Sequence, residues 1–276
     1  MVVQKSLSGK VLVMSGGSRG IVLAIGLRAA QDGAKVAIIA KTEEPHPKLE
    51  GTIHSAAEEI RAAGGQALPI AGDVRDDERV LAAVQQVVDQ FGGIDICVNN
   101  ASAIDLSPVE SIAMKRYDLM QDVNTRGTFV LTKACLPHLK LAANPHVLTL
   151  SPPLNLNPAW LGKGLGYSIA KYGMSLCTLG FAEEFKEYAI AANSLWPRTT
   201  IATAAVRNLL GGDDAMRRSR DPRVVADAAH AILTRPSREC TGRFFIDDEV
   251  LAEEGITDLS IYGGVEGELQ TDLFLD

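Results

Sequence analysis

Short apolar blocks alternate along this chain with longer stretches in which apolar positions recur at helical spacing. The blocks read as strands near 11–15, 35–40, 67–71, 95–98, 146–151 and 190–196. The periodic stretches read as helices over 20–32, 52–64, 77–91, 112–140, 165–187 and 223–233. Thr241 to Asp247 reads as a seventh strand. This rhythm predicts an α/β fold of Rossmann type: doubly wound, with a seven-stranded parallel sheet and helices on both faces. The runs Val36 to Ala40 and Val147 to Leu150 have the near-continuous apolar character of central parallel strands. The least regular stretches are 41–51, 152–165 and 198–222. Those that follow strands at their carboxyl ends are expected to rim the ligand crevice, with 152–165 and 198–222 as substrate loops.

Two local patterns carry chemistry. After the first strand comes Ser15-Gly16-Gly17-Ser18-Arg19-Gly20-Ile21-Val22. Glycines let the backbone turn sharply and approach a pyrophosphate, while unpaired amides at the following helix start supply donors and positive dipole. A glycine turn alone is either a tight turn or a nucleotide site; its place between first strand and first helix points to the second. Tyr167 and Lys171 lie four residues apart in a predicted helix, on one face about a turn apart. An ammonium beside the phenolate favours the ionised form, so the phenol could exchange a proton near neutral pH. Taken alone, the pair could equally be a half-buried ring beside a solvated ammonium.

Together these patterns resemble the short-chain dehydrogenase/reductase family, whose glycine motif is Thr-Gly-x-x-x-Gly-x-Gly and whose active site is Tyr-x-x-x-Lys. Asp73-Val74 is similar to the family's adenine-side aspartate, Asn99-Asn100-Ala101-Ser102 to its Asn-Asn-Ala-Gly segment, and Asn124 to its mid-helix asparagine. The matches run in order from about residue 8 to about residue 250. Further segments, Lys41-Thr42 with Pro45 to Leu49, Val123 to Gly127, Ser151 to Pro158 and Ala182 to Phe185, mark one subgroup of that family.

The resemblance implies that Tyr167 is the general acid or base, that Lys171 lowers its effective pKa and holds the nicotinamide ribose, and that Asn124 supports a proton relay through water. It also implies cofactor contacts at Gly16, Ser18, Arg19, Gly20, Ile21, Lys41, Asp73, Asn100, Tyr167 and Lys171. Asn99 is expected to pack and hydrogen-bond between strand ends. Three departures stand out. Val22 replaces the third glycine and is expected to crowd the pyrophosphate. The family's catalytic serine is missing: Leu154 or Pro152 stands where it would be, and Ser151 is the nearest candidate, with Ser168 or Asn155 as substitutes. Pro197-Arg198 replaces the usual Pro-Gly, so Arg198 meets either an anion or solvent.

Cofactor choice follows from the end of the second strand, where Lys41 stands in place of the acid that accepts from the ribose in an NAD enzyme. With Arg19 it could meet the extra phosphate of NADP, so the expected cofactor is NADP(H); Glu43 and Glu44 work against this. Trp160, Trp196, Leu154, Leu156 and Leu161 suggest an apolar wall over the crevice and a hydrophobic substrate, although Trp196 could equally be plain core. The expected activity is interconversion of a carbonyl and an alcohol. The alternative is a catalytically weak nucleotide-binding sensor or scaffold.

Composition narrows the class. At 276 residues and 46% apolar content, residues 1–276 read as one domain with one substantial core. No window approaches a membrane span, Met1 to Lys10 lacks a signal-peptide core, and Leu275-Asp276 is no peroxisomal signal, so the expected setting is the cytoplasm. A net charge of −7 without a basic stripe argues against nucleic acid as a partner. Scattered Cys97, Cys135, Cys177 and Cys240, and histidines without ligand spacing, give no metal site. The family resemblance also implies a homodimer or homotetramer built through two long helices, and 112–140 and 165–187 are long enough to serve.

Overall fold

The computed structural model describes residues 5–45, 51–265 and 268–276. Residues 46–50, part of the irregular stretch 41–51, lie outside the described residues. The strands are β1 (Val11–Ser15), β2 (Lys35–Ala40), β3 (Gln66–Ala71), β4 (Ile96–Asn99), β5 (His146–Thr149), β6 (Ala191–Trp196) and β7 (Phe244–Ile246). They form one sheet in the order β3-β2-β1-β4-β5-β6-β7, and every pairing is parallel. The helices are α1 (Gly20–Gln31), α2 (Ile53–Ala62), α3 (Asp77–Phe91), α4 (Met114–Met120), α5 (Gly127–Leu139), α6 (Pro158–Leu161), α7 (Leu165–Glu184), α8 (Gly212–Arg217), α9 (Arg223–Leu233) and α10 (Asp247–Glu253). Among the described residues no helix is long and apolar enough to cross a membrane.

Alternation along β1 divides the core. Leu12 and Met14 face one side with Ile25 of α1, Ile60 of α2, Val225 of α9 and Leu251 of α10. Val11 and Val13 face the other with Val84 of α3, Leu131 of α5 and Phe181 of α7. Side chains of this size contribute roughly 1.5–3 kcal/mol each when fully buried, so both faces of the sheet must be covered. The strand order reverses between β1 and β4, the switch point beyond whose carboxyl ends open α/β sheets bind their ligands.

One long element differs from expectation. The stretch expected as a single helix over 112–140 is α4, a π-helical turn at Gln121–Arg126, then α5. Asn124, fully buried in that turn, accepts from Ala103 N at 2.7 Å through Oδ1 and donates to Ala103 O at 3.1 Å through Nδ2. The wider turn lets an interior amide engage the loop after β4; such turns cluster at functional sites.

Candidate active site

The glycine turn is built as a cradle. Gly16 has φ +74°, and a Cβ there would stand 3.0 Å from Asn100 Nδ2 and 3.2 Å from Ala101 Cα. The β4 loop is drawn this close because Ser15 Oγ accepts from the amides of Asn100 and Ala101, both at 3.1 Å. Gly20 has φ +61° and lies under Thr203, whose methyl would be 3.2 Å from a Cβ. No side chain caps the start of α1, which leaves its first amides available. Ser18 is buried and Ile21 packs on the core, while Arg19 Nη2 donates to Gly51 O at 3.1 Å. Among the described residues Arg19 Nη1 is buried without a partner. An orphaned guanidinium donor beside an open helix start matches an anionic dinucleotide, so the residues present fit the cofactor.

Val22 corrects an expectation. Its side chain is fully buried in the core, where a Cβ on Gly17 would be 3.3 Å from Val22 Cγ1. It points under the helix instead of at the pyrophosphate, and Gly17 supplies the room.

At the end of β2, where the adenine side is expected, Lys41 Nζ lies 2.6 Å from Asp73 Oδ2, and Arg75 holds the same carboxylate through Nε and Nη2. Burial alone would raise the Asp73 carboxyl, but hydrogen bonds from Arg75 and Lys41 outweigh it and hold it well below the usual range. Lys41 is therefore not a free cation. Asn99 is buried and donates to Thr132 Oγ1 at 2.8 Å, a packing role as expected.

Tyr167 and Lys171, buried on one face of α7, meet the cleft beside β5 and β6. Lys171 Nζ donates to Leu150 O at 2.8 Å and lies 5.1 Å from the centre of the Trp196 ring. Ser102, exposed in the loop after β4, turns its hydroxyl to Ala103 O at 3.4 Å. Burial raises the phenol above its ordinary value, with the Asp272 carboxylate adding and Ser102 opposing. Burial also lowers Lys171 to about 7, with Asp272 opposing. The phenol is thus raised in this arrangement rather than made acidic, because burial disfavours the phenolate, with the Asp272 carboxylate adding to it.

Ser151 is not brought to Tyr167. It is fully buried, 2.8 Å from Ser194 Oγ, which in turn donates to Thr178 Oγ1 at 2.9 Å. The carbonyl of Pro152, also buried, accepts from Ser175. Ser168 bonds back to Gly164 O and Asn155 holds residues 274 and 276, so neither substitutes. Arg198 pairs with Asp248 and Glu249, which occupies its charge. The apolar wall forms from Trp160, Trp196, Leu154 and Leu161, without Leu156, which is exposed.

The wall has an occupant that sequence reading missed. Phe274 sits among Tyr172, Trp196, Tyr167 and Trp160 at ring-centre distances of 5.2, 6.1, 6.2 and 6.3 Å. Asp272, on the same segment, raises the Tyr167 phenol and opposes the lowering of Lys171 through its charge.

With this geometry in place, comparison with known proteins is decisive. A model described as short chain dehydrogenase matches residues 10–211. The chain belongs to the short-chain dehydrogenase family. It is 54% identical to hydroxysteroid dehydrogenase-like protein 2 of Xenopus tropicalis over 271 residues, covering 98% of this chain and 64% of that protein. It therefore spans less than two thirds of that relative's length. A putative dehydrogenase from Xanthomonas campestris shares 58% identity at TM-score 0.94, covering 98% of this chain and 99% of that one. A short chain dehydrogenase from Mycobacterium thermoresistibile shares 59% at 0.93, covering 98% and 96%.

Proposed function

We propose that this chain is an NADP(H)-dependent oxidoreductase that interconverts a carbonyl and an alcohol on a small hydrophobic substrate. The observation that carries the reading is the burial of Tyr167 and Lys171 on one face of α7, beside the cleft onto which the glycine cradle opens. The nicotinamide, when bound, supplies the hydride to the carbonyl carbon or takes it back. Tyr167 gives its proton to the carbonyl oxygen in reduction and recovers it in oxidation. Lys171 stabilises the resulting phenolate when protonated and holds the cofactor's ribose. Ser102, in the loop after β4, orients the substrate oxygen. Asn124 fixes the Ala103 backbone next to Ser102, and its remaining donor and lone pair serve a water relay.

Gly16, Ser18, Gly20, Ile21 and Asn100 form the cradle, and Asp73 marks the adenine end. NADP(H) is favoured over NAD(H) by the unpartnered Nη1 of Arg19 and by Lys41, whose side chain stays half exposed beside Asp73. A panel of ketones and secondary alcohols, followed by absorbance of the reduced nicotinamide with all four cofactor forms, tests the reading. NADPH is expected to bind more tightly than NADH by roughly 1–3 kcal/mol, a preference lost mainly in Arg19→Ala. Equal affinities by calorimetry would remove the NADP assignment.

One observation favours a second reading, a weak nucleotide-binding sensor: the Tyr167 phenol is raised beneath a covered cleft. That reading predicts tight NADPH binding and no turnover across the panel.

A further inference from the structure

Segment 268–276 runs back over the cleft on specific contacts. Its backbone pairs with the stretch after β6: Thr199 and Thr271 form an antiparallel bridge, Thr200 N donates to Gln270 O at 2.9 Å, and Asp272 N donates to Arg198 O at 3.0 Å. Its tip is clamped from the 152–165 loop. Asn155 Nδ2 donates to Phe274 O at 3.1 Å and to Asp276 Oδ2 at 2.9 Å, and Asn157 Nδ2 reaches Asp276 Oδ1 at 3.3 Å. Both indoles bind it as well: Trp160 Nε1 donates to Asp276 Oδ1 at 2.8 Å and Trp196 Nε1 to Leu273 O at 2.9 Å. Phe274 is 2% exposed, and its φ of +70° lies in the left-handed region that a bulky side chain adopts only when its surroundings hold it there.

Resting on the reading that the Tyr167 face is the substrate side, we propose that segment 271–276 is a displaceable strap, and that Phe274 determines specificity by holding the place of a ring-sized apolar group of the substrate. Four aromatic rings arranged around a phenyl group form a receptacle for a flat or cyclic hydrocarbon next to a carbonyl. With the strap seated, the ring of Tyr167 is stacked by Phe274, and the acid of Asp272 opposes formation of a phenolate. The seated state is therefore an off state for proton transfer. A ring-bearing carbonyl compound switches the site on by taking the position of Phe274, whereas a small acyclic ketone lacks the contacts to do so. The strained backbone at Phe274 lowers the cost of release.

Trp160 and Trp196 are the only tryptophans of the chain, so their fluorescence reports the strap without any chemistry. Acrylamide quenching is measured on the full chain, on Phe274→Ala and on a deletion of 270–276, each with and without cyclohexanone, with acetone as the control probe. Cyclohexanone binding is measured in parallel by saturation-transfer NMR. The expected results are shielded indoles in the unmodified chain, quenching that rises with cyclohexanone but not acetone, and indoles already open in the deletion. Cyclohexanone should bind Phe274→Ala about tenfold more tightly than the unmodified chain. Indoles as open in the unmodified chain as in the deletion would overturn the strap. Weaker cyclohexanone binding by Phe274→Ala would make Phe274 a fixed wall and overturn its role as occupant. Absence of turnover with NADPH would count against the enzymatic reading alone, since neither readout needs it.

Discussion

Val22 shows how a single position depends on which way its side chain points. Facing the core beneath α1, it fills space that Gly17 leaves, and contributes to packing rather than to the phosphate site. Val22→Gly is expected to lower stability by roughly 2–4 kcal/mol through an internal cavity and a helix glycine. NADPH affinity should be unchanged. Urea unfolding and calorimetry check both; tighter NADPH binding would restore crowding at the pyrophosphate. Tyr167, Lys171, Gly16 and Gly20 were legible because each belongs to a short motif whose spacing carries its mechanism. Ser151 was misleading because distance along the chain from Tyr167 says nothing about direction: β5 turns that hydroxyl inward to Ser194.

At the scale of elements, α1 and α9 are tied by Asp32, which accepts from Leu7 N at 2.7 Å and pairs with His230 Nε2 at 2.8 Å and Arg28 Nη1 at 3.2 Å. Burial would raise its carboxyl, but the His230, Leu7 and Arg28 bonds outweigh burial and bring it down to about 2 from 3.8. A lowered folded-state value means the stabilisation is complete above the unfolded value and is lost as pH falls through the folded one. Asp32→Asn is expected to cost about 1–2 kcal/mol at pH 7, a figure reduced for solvent screening. Its deficit should shrink between about pH 4 and pH 2, read from denaturant midpoints; a deficit independent of pH would mean that only packing is lost. The strands and most helices were legible from periodicity because the sheet imposes one apolar rule on each face. The π turn was not, since helical periodicity carries no sign of the bond between Asn124 and Ala103.

For the whole molecule, α5 and α7 leave Phe129, Ile169 and Leu176 exposed at 50, 43 and 58%, more apolar surface than solvent favours on long helices. The homodimer or homotetramer expected from the sequence would bury these side chains. Leu176→Glu is expected to shift the protein to monomers in sedimentation, and an unchanged mass would place the interface elsewhere. The covering of the cleft by segment 268–276 had no legible counterpart in the sequence. Aromatic docking across more than a hundred residues leaves no local period, and an acidic tail with scattered apolar residues reads as surface until its partners are placed. The resulting molecule carries a glycine turn at the start of α1 and an aromatic box around Phe274 in which Tyr167 is one of the walls. The most direct test of that arrangement is Tyr167→Phe, assayed for ketone reduction and for NADPH binding on the same preparation. Turnover is expected to fall by about 10²- to 10⁴-fold with NADPH affinity nearly unchanged, because the ring still packs while the transferable proton is gone. Retention of most of the turnover would contradict the role of Tyr167 as the proton donor.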